Sequence, residues 1–391
     1  MRVALFCHSI LSDWNHGNAH FLRGVATELI LRGHQVRIFE PQDAWSFQNL
    51  VREHGEDWLD EFRRMYPHLR TNRYDPDHLD LDEALDGADI VLVHEWNSPS
   101  LIRGIAEHRK HSSYRVLFHD THHRSVSDSQ NIFLRALESY DGILAFGDSV
   151  SQQYRRLGWG TRVWTWHEAA DVRIFHPLPW ANALRSDVVW VGNWGDGERT
   201  TELKEFLLDP VRELGLRAQV HGVRYPNESL ALLKDSGIEY KGWAPNFRIP
   251  EIFSRSRATV HIPRRPYRDA LPGVPTIRVF EALACGIPLI SAPWSDSEHL
   301  FRPGEDFLTA STGSEMKRQL RALFSDEALG DAVAAHGLRT ILSRHTCGHR
   351  VDELLKIYAQ LGPQSSQLCC QTQWQEPAIG ALPPRSIALD T

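Results

Sequence analysis

Short, unbroken apolar runs alternate along the chain with amphipathic stretches. Residues 3–7, 90–93, 116–118 and 143–146 are apolar without alternation, and residues 36–39 are apolar but for Arg37, as expected of strands covered on both faces. Between the first two, residues 19–32 place Phe21, Leu22, Val25, Leu29 and Ile30 on one side of a helix that Gly33 ends. Further elements are read as helices over 129–139 and 150–157 and a strand over 161–166. Residues 41–80 are charged and helix-patterned, an excursion on this first unit. After a Pro-containing link at 177–184 the pattern restarts with strand 188–191 and a helix over about 200–214. Strand 218–221, helix 227–235, strand 238–240 and strand 258–262 follow. A helix from Thr276, stopped by Gly286, leads to strand 288–291. Helices 314–324, 327–344 and 349–361 close the pattern. Strand and helix in alternation imply two α/β domains with parallel sheets, over 1–178 and 183–345, with a helix at 346–362 returning towards the first. Residues 363–391, with Pro, Gln and Ser but little periodicity, read as a disordered tail.

Composition changes this picture only by exclusion. A net charge of −7 argues against binding nucleic acid non-specifically, which needs a basic surface. Five cysteines show no paired spacing apart from Cys369 and Cys370, so a disulfide framework is not expected and a reducing cytoplasm is. The start, M-R-V-A-L-F-C-H, reads as a buried strand rather than a signal peptide, and no run reaches membrane-spanning length. Peripheral membrane contact stays compatible with that. Thirteen Trp is a high count, of the kind that lines carbohydrate or nucleotide clefts as well as cores.

Candidate chemistry sits where strands end, which in open parallel sheets is where ligands gather. The first loop, S-I-L-S-D-W-N-H-G-N-A-H, carries Gly17 and Asn18 and feeds a helix start that favours anions, although G-x-G-x-x-G is absent. His94 and Glu95 follow one strand. His119, Asp120 and His122 follow the next, in H-D-T-H-H. That cluster admits a metal site, a contact to a reacting sugar, or loop histidines beside a capping Asp. Its exit from a strand rather than a helix disfavours a metal, and none is expected. The turn G-N-W-G-D-G-E-R holds Gly192, Asn193 and Arg199, and its glycines let backbone amides approach a phosphate. Arg278 and Glu281, three apart, share a helix face, with Arg264, Arg265 and Arg268 upstream. A carboxylate suits sugar hydroxyls and the arginines suit a diphosphate. The same pair also suits a solvated helix face.

The run R-V-F-E-A-L-A-C-G-I-P-L-I-S resembles the donor-binding helix of GT-B glycosyltransferases of the group 1/family 4 superfamily, in a branch similar to the spore maturation protein CgeB. The segment W-H-E-A-A-D-V-R-I-F-H-P resembles the linker of that superfamily, with Asp171, Phe175 and Pro177 in register. The resemblance implies two Rossmann-like domains facing across a cleft, and transfer of a sugar from a nucleotide-sugar to a saccharide, lipid-linked or small-molecule acceptor. It implies retention at the anomeric carbon, no cofactor and no metal. Glu281 would hold the ribose, while Gly192, Asn193, Arg199, Gly273, Thr276 and Arg278 contact the donor and Trp243 stacks on the base or fills the core. His119 or His122, with Asp120, would meet the reacting sugar. Gly17, Asn18, His94, Glu95, His167 and Glu168 would line the cleft or its acceptor side. Many members carry a second Glu eight positions before the first, where this chain has Gly273. A nucleotide-sugar epimerase, a phosphorylase, a nucleotide-sugar-binding protein without turnover and a metal hydrolase are the other classes that the residues leave open.

Overall fold

The computed structural model describes residues 1–122, 137–160, 162–179 and 186–362. The helix read over 129–139 and the link at 177–184 lie largely outside the described residues, and the tail at 363–391 wholly so.

The first half forms a wholly parallel sheet of β1 (Arg2–Phe6), β2 (Gln35–Pro41), β3 (Thr71–Tyr74), β4 (Ile90–His94), β5 (Arg115–Asp120), β6 (Gly142–Ala145) and β7 (Val163–Thr165). Their order is β3-β2-β1-β4-β5-β6-β7. The second half forms another from β8 (Ser186–Val191), β9 (Ala218–His221), β10 (Ile238–Gly242), β11 (Ser256–His261), β12 (Leu289–Ser291) and β13 (Leu308–Thr309), in the order β10-β9-β8-β11-β12-β13. Each sheet reverses its order once, between β1 and β4 and between β8 and β11. The loops that leave these strands diverge and open a crevice at each switch. The two crevices face each other.

Val3, Ala4, Phe6, Val91, Val93, Val116 and Leu117 are all buried, as continuous apolar strands require. Three readings shift. The polar sequence T-N-R-Y adds β3 at the edge of the first sheet, within residues 41–80, whose pattern read as helix-like. The helix read over 200–214 is interrupted by a π turn, Lys204–Leu208. Pro210 follows, with no N–H to donate and a ring that crowds the carbonyl four residues back, so the backbone widens there. β5 extends two residues further than the apolar run, through His119 and Asp120.

The last helix, Cys347–Gln360, begins at a capping box between Thr346 and His349 and returns to the first half. It packs on the first helix, Ala19–Leu31. The Cys347 sulfur lies within 2.4 Å of where a side chain on Gly24 would begin, so only glycine fits there. Arg350, buried, donates to the carbonyls of His167 and Glu168. Among the described residues, no helix is long and apolar enough to cross a membrane.

Candidate active site

The two halves enclose a cavity of about 410 Å³ at the facing crevices. Its second-half wall is built around Arg199, which leaves the turn after β8. The guanidinium donates to the Ile262 carbonyl at 2.8 Å and to both oxygens of Asn193 at 2.8 and 2.9 Å. It also lies over the Trp190 ring, 5.0 Å from the centroid. Gly195 has φ +90, and a Cβ there would come within 2.9 Å of Arg199 Nε, so glycine is required twice over. Arg264 donates to Asn193 Oδ1 at 3.0 Å and pairs with Glu198. Arg278 completes the basic wall. Burial, with Arg264 and Arg278 nearby, draws the Arg199 guanidinium down to about 9. Three like charges crowded into one wall favour a bound anion.

The helix Ile277–Ala284 points its start into the same cavity, through Thr276, Ile277 and Arg278. Thr276 stands at the N-cap but makes no side-chain cap. Its hydroxyl meets His261 Nε2 at 3.2 Å instead, while His261 Nδ1 meets Ser291 Oγ at 2.9 Å. Burial and the Arg199 charge hold His261 down to about 3, so the ring is neutral at pH 7. The first-turn N–H groups therefore have no capping side chain, an arrangement that suits a phosphate.

The first-half wall is differently made. Arg23, on the first helix, donates to the carbonyls of Ile10 and Leu11 and pairs with Asp13 at 2.8 Å, with both side chains buried. Asp13 in turn accepts the Trp243 indole N–H at 3.0 Å and the Asn246 backbone N–H at 3.1 Å from the second half. The loop is thus locked across the cavity with its charge neutralised. Asn15, His16, Gly17, Asn18, Trp96 and His122 supply the rest of that wall. Burial, with His8 and Arg23 nearby, holds His16 well below the usual histidine range.

Of the expected residues, Gly17, Asn18, His122, Gly192, Asn193, Arg199, Trp243, Thr276 and Arg278 line the cavity. The others do not. His119 is inside β5, packed against Trp166, His94 and Phe21, and burial holds it down to about 3. Asp120, next in the same strand, faces the other way; it accepts the Tyr154 hydroxyl at 2.7 Å and the His122 backbone N–H at 2.9 Å. The longer strand is the cause, since neighbours in a strand point to opposite faces. His94 lies in β4 with Nε2 3.1 Å from Thr121 Oγ1, and Glu95 accepts from that residue's N–H and hydroxyl. His167 pairs with Glu298 at 2.7 Å. Glu168 is buried, and burial together with the Glu281 charge pushes its carboxyl up to about 8. Gly273 has φ +87, and a Cβ there would meet Ser297 Oγ at 2.5 Å and Glu298 Cγ at 3.0 Å. A glutamate at that position is excluded by backbone and space together.

Glu281 departs most from expectation. It is fully buried behind the wall, where Oε1 meets His20 Nδ1 at 3.0 Å and Oε2 accepts from Arg278 at 2.5 Å. Burial alone would raise its carboxyl, but the Arg278 charge and the His20 hydrogen bond hold it below the usual range. Arg264 was visible in the sequence as one of a basic run. Asp13, His16 and His261 were not singled out, although each stands at the end of a strand or in the loop after it.

Residues 199–356 match a family model described as glycosyl transferase-like. No curated protein sequence matches the chain. Several solved structures share its architecture. Sucrose-phosphate synthase from Thermosynechococcus elongatus is 14% identical with a TM-score of 0.66, over 92% of this chain and 99% of that one. Anabaena HepE, in complex with UDP and glucose, is 12% identical with a TM-score of 0.65 over the same shares. T4 phage BGT, in complex with UDP and Mn2+, is 12% identical with a TM-score of 0.59, again over 92% and 99%. Two parallel-sheet domains facing across a cavity are the GT-B fold, and the glycosyl transferase-like match over its second half supports a transferase enzyme.

Proposed function

We propose that the chain transfers a sugar from a nucleoside diphosphate sugar to a hydroxyl-bearing acceptor. The observation that carries this is the convergence of Arg199, Arg264 and Arg278 with an uncapped helix start on one cavity wall. A diphosphate fits that wall in charge and in hydrogen-bonding geometry. The UDP bound by HepE and BGT makes UDP-sugars the first donors to try. In the reaction, the bond between the anomeric carbon and the diphosphate oxygen breaks and its electron pair leaves with the diphosphate. The acceptor oxygen bonds to that carbon, and its proton passes to the departing diphosphate oxygen. The guanidiniums stabilise the leaving charge. Among the described residues, no group of three or more His, Cys, Asp or Glu comes together to hold a metal ion. The proposal assigns the leaving group's charge to the arginines of this wall.

The neutral first-half wall supports an acceptor site there, with His122 as the residue next to the reacting sugar. Retention, a CgeB-like branch and independence of metal, all implied by the resemblance, belong to the same proposal. Incubating the protein with UDP-, GDP- and ADP-sugars, with and without glucose as acceptor, tests it. Nucleoside diphosphate released together with a new glycoside is expected. Conversion of the donor alone to its epimer would replace the transferase reading.

A further inference from the structure

The sequence pattern gives no hint of His20, which lies on the first helix among buried apolar residues. It is fully buried and stacked on Phe175, with ring centroids 4.0 Å apart and planes at 17°. The Asp171 backbone N–H lies 2.8 Å from its Nε2. An N–H can donate only to a nitrogen without hydrogen, so the ring proton is on Nδ1. Nδ1–H then donates to Glu281 Oε1 at 3.0 Å. The ring thus spans three parts of the molecule: its own helix in the first half, the segment Asp171–Phe175 that leads to the second half, and the helix start at the cavity.

We infer that His20 is a positioning residue of the donor site, which fixes Glu281 and through it Arg278 only while the two halves are closed. Two distinct groups hold the Glu281 carboxylate, His20 on one oxygen and Arg278 on the other. Arg278 is the member of this chain that reaches the cavity. Its remaining side-chain contact is a long one, 3.5 Å to Asn246 Oδ1. Without His20, half of a buried carboxylate loses its donor. The carboxylate is then free to turn, and the guanidinium turns with it. Opening the halves has the same consequence, because His20 and Glu281 come from opposite sides. Diphosphate binding and domain closure are therefore coupled through one imidazole. This rests on the reading of the basic wall as a diphosphate site.

Gln and Met are nearly isosteric, but only Gln can donate to Glu281. Calorimetry with UDP and with uridine on the wild type, H20Q and H20M separates the cases. UDP should bind H20Q within about threefold of wild type and H20M about tenfold or more weakly, the loss of one charge-assisted hydrogen bond. Uridine affinity should be the same in all three. In an Arg278→Ala background, changing His20 to Met should cost no further UDP affinity. Equal UDP affinity for H20Q and H20M, or a full further loss in the Arg278→Ala background, would overturn the inference. If H20M does not fold, the H20Q/E281Q and H20M/E281Q pair carries the comparison. These two should bind UDP alike, and a difference between them counts against the role. A wild type that binds UDP no better than uridine would instead remove the diphosphate site itself.

Discussion

The two walls of the cavity differ in what their charges are doing. On the first-half wall, Asp13 is neutralised by Arg23, and the remaining groups are amides, rings and the imidazoles of His122 and of His16, which burial keeps neutral. On the second-half wall, arginines outnumber their carboxylate partners, and burial together with the neighbouring Arg264 charge lowers Arg199 to about 9. One wall is arranged to hold an uncharged polar molecule, the other to receive an anion. Under the proposed transfer, this difference puts the donor's diphosphate on the second-half wall and the acceptor on the first.

The largest expected effect comes from breaking the first wall's neutrality. Arg23→Met strands the Asp13 carboxylate in a buried site and should lower stability by about 3–5 kcal/mol in denaturant titration. A loss below about 1 kcal/mol would mean that the pair is not what neutralises this wall. Next is the second wall: Arg199→Met should weaken UDP binding by roughly 1.5–3 kcal/mol for each charge-assisted hydrogen bond lost. Unchanged UDP affinity in calorimetry would detach the diphosphate from this wall. His122→Ala should then separate the walls functionally, lowering turnover by about a hundredfold while UDP affinity stays put. Parallel losses of both would place His122 on the donor side.

The smallest effect is read as a slope. The Glu168 carboxyl is raised to about 8 by burial and the Glu281 charge. Its protonated form therefore favours the folded state, a contribution fully present below the unfolded pKa and lost as pH rises through about 8. Stability of the wild type should fall between about pH 4.5 and 8 more steeply than that of Glu168→Gln, which does not titrate. Parallel stability curves for the two proteins would contradict the raised value.

Both sheets were legible because their central strands are apolar on both faces, and so was Arg199, because glycines surround it in a strand-to-helix turn. The polar edge strand β3 was not legible, since T-N-R-Y lacks the apolar signal that central strands carry. His119 and Asp120 were placed in a loop because polar residues after an apolar run read as a strand's end, yet backbone pairing continued through them. The first helix hid most. Its apolar stripe says nothing of His20 and Arg23, which lie off that stripe and are nonetheless buried. Which face of a helix is buried depends on what closes over it, and periodicity within one element does not contain that. The same holds for Glu281, on the expected helix but turned from the cavity to His20 and Arg278.

Calorimetric titration of the wild-type protein with UDP and with uridine, side by side at fixed salt, tests the central claim most directly. The basic wall predicts that UDP binds at least about a hundredfold more tightly, the worth of one or two charge-assisted hydrogen bonds. Equal affinities would contradict it.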